Sequence, residues 1–126
     1  MYSAFVTASN EKFMAAGVQF DAAGNDVEKL KAVWAATADI EERFVAGLLA
    51  IAWPPELRDT VDKLAAADLK IAEVQRALAA DPLNADLNTQ AEAAGAAHMP
   101  FAQELRSRLG LDALATEPPA SPSTAP

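Results

Sequence analysis

The chain contains no cysteine. That absence excludes disulfides, cysteine-ligated zinc, iron–sulfur clusters, c-type haem attachment and thiol nucleophiles together. There is one histidine, His98, so arrangements built on a histidine pair are excluded too. A di-iron bundle needs Glu-x-x-His on two helices, and here the residue three before His98 is Gly95. The helical H-E-x-x-H zinc motif is missing, as is a glycine-rich loop leading into Lys-Ser/Thr. No serine stands in a G-x-S-x-G elbow, although a Ser-His-Asp triad can occur in any chain order and sequence order alone does not decide it.

Basic residues are also scarce. Ten Lys and Arg face 18 Asp and Glu, a formal net charge of −8. The basic residues form no stripe, so neither nucleic acid nor an anionic membrane surface is an expected partner. No apolar run approaches the roughly 20 residues of a spanning helix; the most apolar, Phe44 to Trp53, is too short. Met1-Tyr2-Ser3-Ala4 has no charged n-region and no cleavage site, so no signal peptide is read there.

What the chain has in abundance is alanine, about a quarter of its 126 residues and the best helix former. Breakers fall at regular places: Gly24, Trp53-Pro54-Pro55, Asp81-Pro82 and Gly110-Leu111. Between them, apolar residues recur every three or four positions. The first helix is expected over Ser3–Ala22, with Phe5, Phe13 and Phe20 on one stripe and Gly24 at its C-terminal cap. The second begins at Asn25 or Asp26, where Asn25 and Glu28 make a pair resembling a capping box. Its stripe runs Val27, Leu30, Trp34, Thr37, Ile40/Glu41, Phe44, Leu48 and Ile51. The prolines after Trp53 stop it and open the third helix, whose stripe is Leu57, Val61, Leu64, Ala67, Ile71, Val74 and Leu78. Asp81-Pro82 reads as the cap of the fourth helix, with Asn84 a second candidate. The fourth stripe holds Leu87, Ala91, Ala94, Ala97/His98, Phe101, Leu105 and Leu109, and Gly110-Leu111 reads as a Schellman end. Pro100 lies inside this helix and predicts a kink or short break near Ala96 to Met99.

Short connections make successive helices antiparallel neighbours. The expected fold is therefore all-α: an up-down-up-down four-helix bundle over 1–114, with a Pro/Ser/Thr/Ala-rich flexible tail over 115–126. A helical hairpin pair that completes its core by dimerising is the second architecture, so monomer and homodimer both stand. The expected core is Phe5, Phe13, Phe20, Leu30, Trp34, Phe44, Leu48, Leu64, Ile71, Leu78, Phe101 and Leu105.

His98 draws the site hypotheses. The middle of the first helix should lie beside the middle of the fourth, which puts Met14 and His98 at similar heights. A Met and a His facing across a bundle can ligate haem iron, but Met14 points about 100° away from Phe13, so a packed or partly exposed His98 is the plainer reading. No cofactor and no metal is called for. Glu41 and Glu42 diverge on a helix and read as a solvated face. Asp68 borders the third stripe, between Leu64 and Ile71, and reads as a boundary residue, hydrogen-bonded or hydrated. Trp34 reads as core. Trp53 either plugs the bundle end or anchors a partner.

The order of features, with Ala52-Trp53-Pro54-Pro55 closing a long helix, an Ala-Asp-Pro turn and a final Leu109-Gly110-Leu111, resembles the small helical domains of uncharacterised exported or lipid-anchored proteins of high-GC Gram-positive bacteria. The resemblance implies an extracytoplasmic, cell-surface location, with a cytoplasmic one as the alternative, and it brings no catalytic residues. The functional expectation is a non-enzymatic interaction module for a protein partner. The alternative is a carrier of an apolar small molecule, with a pocket lined by Phe13, Trp34, Ala94 and Phe101.

Overall fold

In the computed structural model the described residues are 2–111, with side chains described from Val6 onward. The tail expected over 115–126 lies outside them, and the side chain of Phe5, of the expected core, lies outside the described side chains. Four helices follow one another: α1 Tyr2–Ala23, α2 Val27–Ala50, α3 Pro55–Ala80 and α4 Ala85–Arg108. They form an all-α, up-down-up-down antiparallel bundle.

Local chemistry sets each boundary. Gly24 takes a φ of +55° after α1, which costs glycine nothing. Asp26, rather than Asn25, caps α2: its Oδ1 accepts the Lys29 N–H at 3.1 Å. Pro54 and Pro55 open α3 as the sequence suggests, Pro54 standing at the cap with no side-chain bond. The cap of α4 is Asn84 and not Asp81, because Asn84 Oδ1 accepts the Leu87 N–H at 3.0 Å. Asp81 instead ends α3, its N–H donating to the Ala77 carbonyl. At the far end the Leu111 N–H donates to Arg106 and the Gly110 N–H to Ser107, with Gly110 at φ +71°. Those two bonds are the Schellman pair. The expected break at Pro100 is absent: α4 runs continuously through it, since losing one hydrogen bond need not interrupt a helix held by its neighbours.

The main core sits at the end where α2 meets α3. Val45, Leu48, Val61, Leu64, Ala65, Ala102 and Leu105 pack there with Val6 of α1. Leu48, Leu78 and Leu105 are fully buried. Several expected core residues are only half-buried: Phe13, Phe20, Leu30, Trp34, Phe44, Ile71 and Phe101. A bundle faced largely with alanine is thin, so rings too large for its narrow interior lie along its seams. Phe20 and Trp34 do so edge to face, with centroids 4.6 Å apart, tying α1 to α2. On the surface Arg76 of α3 grips both Asp39 and Glu42 of α2.

The packing is sequential: α1 on α2, α2 on α3, α3 on α4. A closed bundle would also bring α1 against α4. Among the described residues these two backbones do not come into contact range. The buried side chains of these two helices are mostly small. The buried residues of α4 are Ala94, Ala102 and Leu105, and those of α1 are Val6, Ala16 and Ala23. The seam is left as a cleft.

Candidate functional site

The cleft encloses about 250 Å³. Val6, Asn10 and Phe13 of α1 form one wall and His98 and Ala102 of α4 the other. Its inner side is made by Glu41 and Phe44 of α2 and by Leu64, Asp68 and Ile71 of α3. Most of this lining is apolar; the exceptions are Asn10, Glu41, Asp68 and His98.

Helical spacing brings the titratable three together. On α2 the buried stripe is Val33, Thr37, Glu41, Val45 and Leu48. On α3 it includes Val61, Leu64, Asp68, Ala72 and Gln75. On α4, His98 lies midway between the buried Ala94 and Ala102. Each ionisable residue thus takes a position that an apolar side chain would ordinarily hold. Each also lies within three residues of the midpoint of its own helix. At about 1.5 Å per residue that is within about 4 Å of the bundle's middle plane. Phe13 and Asn10 of α1 fall in the same layer.

Asp68 is 1% exposed. His98 Nδ1 lies 2.9 Å from its Oδ1, an ion-pair distance. The approach lacks hydrogen-bond alignment, however, and both atoms are buried without a hydrogen-bond partner. An unmet buried polar group costs about 1–3 kcal/mol. Glu41 is 7% exposed. Burial, helped by the negative charge of Asp68, pushes its carboxyl up to about 8 from 4.5. At neutral pH Glu41 therefore holds its proton in most molecules.

These placements correct the sequence reading at two points. Glu41 is buried rather than part of a solvated face, and Asp68 lies inside the bundle rather than at its boundary. Glu42 does point outward, to Arg76, so the divergence of the adjacent pair holds. Of the pocket residues expected from sequence, Phe13 lines the cleft, while Trp34, Ala94 and Phe101 do not. Met14 is 45% exposed and is not part of the lining; the inward direction belongs to Phe13, and the structure does not bring Met14 and His98 together. Trp53 is half-buried against the main core, and its indole N–H donates to the Leu48 carbonyl at 2.7 Å. Among the described residues no group of three His, Asp or Glu side chains converges as metal ligands do, so Glu41, Asp68 and His98 are neighbours in one cavity and not a coordination set. No helix among them is long and apolar enough to cross a membrane. No protein-family model, no curated protein and no solved structure matches the chain.

Proposed function

We propose that this bundle is a binding protein for a small, largely apolar molecule with a polar head, held in the cleft between α1 and α4. The supporting observation is the cleft itself: an apolar cavity of about 250 Å³ whose inner side carries a fully buried carboxylate oxygen with no hydrogen-bond partner. A cavity with mostly apolar walls and a few convergent polar groups is the usual form of a small-ligand site. The reading is non-enzymatic. His98 and Asp68 resemble a base and its orienting carboxylate, but among the described residues no serine, threonine or lysine lines the cleft to act as a nucleophile.

A helical surface for a protein partner has less to support it. The exposed large apolar residues are Met14 and Val18 of α1, Val27 and Leu49 of α2, Leu69 of α3 and Leu83 of the α3–α4 connection; only Met14 and Val18 are spaced to share a helix face, and so small a patch is ordinary surface.

A thermal-shift screen with molecules of about ten non-hydrogen atoms tests the proposal. A ligand at ten times its Kd stabilises by about 1.4 kcal/mol, a rise of about 5 °C in Tm for a domain of this size. At least one compound should give that rise with the unaltered protein and lose it in Asn10→Trp, which blocks the exposed mouth on α1. A screen in which nothing stabilises the protein would count against it.

A further inference from the structure

We infer that the cleft selects a protonated amine on a compact apolar body, its ammonium seated against Asp68 and Glu41. This rests on the reading of the cleft as a ligand site, and deepens it by naming the chemical class.

Acceptors dominate the polar groups in the cavity. Asp68 and Glu41 supply carboxyl oxygens and Asn10 an amide oxygen. The opposing donors are the Asn10 amide, the His98 imidazole and the proton on Glu41. An ammonium has three donors and no acceptor, so it complements this set. An alcohol brings one donor, and a carboxylate brings none. Asp68 Oδ1 is the particular seat: it makes no hydrogen bond and is covered by His98 Nδ1 at 2.9 Å, so an ammonium reaches it by taking the place of that partly exposed imidazole edge. His98 stands within ion-pair distance of it but out of alignment.

Electrostatics points the same way. Two acidic side chains share one low-dielectric cavity, and the charge of Asp68 adds to burial in disfavouring ionisation of Glu41. The proton held by Glu41 is the free protein's answer to burial first and to the Asp68 charge second. A ligand cation answers it better, since it attracts both carboxylates at once. The chain's formal charge of −8 draws cations toward the mouth and repels anions. A fatty acid or an organic phosphate would instead bring further negative charge to Asp68.

Volume limits the body of the ligand. An engineered apolar cavity of about 150 Å³ holds a benzene ring. By that measure about 250 Å³ holds roughly ten non-hydrogen atoms. Phenylethylamine and short branched or cyclic alkylamines match that volume; a sterol or a long acyl chain would project well beyond it. Phe13 and Phe44 supply aromatic wall, and Leu64, Ile71 and Ala102 aliphatic wall.

Binding of an ammonium carries a proton signature. The groups facing Glu41 across the cavity are Asp68 on α3 and His98 on α4, and α1 contributes only Val6, Asn10 and Phe13, none of which titrates. A cation beside Glu41 favours its ionised form. Binding at pH 7 should therefore release a proton from Glu41, and affinity should rise as pH climbs toward 8.

The test is a calorimetric titration with three probes of nearly equal shape: 2-phenylethylamine, 2-phenylethanol and phenylacetate. Two buffers of different ionisation enthalpy read the proton. The amine should bind at least about tenfold more tightly than the alcohol, the difference expected between a charge-assisted and a neutral hydrogen bond, and phenylacetate should bind least. Asp68→Asn should erase the preference for the amine while leaving the alcohol's affinity within about twofold. Glu41→Gln should retain the preference and abolish proton release. Circular dichroism confirms that each variant folds, and the three probes decide the matter on the unaltered protein if one does not. Equal binding of amine and alcohol, or tighter binding of phenylacetate, overturns the assignment of an amine and leaves the cleft standing as a ligand site. Failure of all three probes to bind overturns both. A preference that survives Asp68→Asn also overturns the assignment.

Discussion

Replacing Glu41 with Gln should change how stability depends on pH, by an amount that follows from the site. In the folded protein the Glu41 carboxyl titrates near 8, against 4.5 for an unperturbed glutamate. The folded state thus holds a proton that the unfolded chain gives up between those values. Stability linked to this group is fully present below about pH 4.5 and is lost progressively as pH rises to about 8. Moving a pKa from 4.5 to about 8 is worth about 5 kcal/mol, at about 1.4 kcal/mol per pH unit. That is comparable to the whole stability of many domains, about 5–15 kcal/mol. Gln matches protonated Glu in shape and stays neutral. Glu41→Gln should therefore resemble the unaltered protein at pH 4.5 and become more stable than it at pH 8.5 by several kcal/mol. Urea unfolding followed by circular dichroism across pH 4.5–8.5 measures the difference, in which titrations common to both proteins cancel. A difference that stays within about 0.5 kcal/mol over this range would refute the burial of an ionisable Glu41 in the cleft.

Three further outcomes test the frame around the site. Leu48→Ala empties a side chain with no exposure and should cost about 2–5 kcal/mol in urea unfolding. Asn84→Ala removes the acceptor of the Leu87 N–H and should cost about 1 kcal/mol, whereas Asp81→Ala should cost less, since Asp81 does not cap α4. Gly110→Ala forces a Cβ into a backbone at φ +71° and should cost about 1–2 kcal/mol, visible as a lower Tm.

The four helices were legible because their signals are local. Gly24, Pro54-Pro55 and Gly110 act through backbone conformation, and the apolar spacing of Leu57, Val61 and Leu64 needs no knowledge of a partner. Choice of cap was less legible: Asn25 and Asp26, or Asp81 and Asn84, are chemically alike, and the turn geometry selects between them. The site was legible only in fragments. Glu41, Asp68 and His98 each occupy a core position of a stripe, and that is a signal in the sequence. Taken alone, however, each reads as an ordinary surface or boundary residue. What the sequence pattern does not carry is the open seam between α1 and α4. Alanine at Ala94 and Ala102 is equally consistent with close helix packing and with a cavity. Whether the helices close depends on how the larger rings, Phe13 and Phe44, pack between neighbours. The inward direction of Phe13 over Met14 followed from the stripe, and so did the distance of Met14 from His98.

The most direct test of the cleft as a ligand site is a two-dimensional ¹H–¹⁵N spectrum recorded during titration with 2-phenylethylamine. A ligand site in the cleft predicts saturable shifts grouped on Val6, Asn10 and Phe13 of α1, on Glu41 and Asp68, and on His98 and Ala102 of α4, with amides at the α3–α4 connection unmoved. Shifts scattered over the acidic surface without saturation, or none at His98 and Asn10, would contradict it.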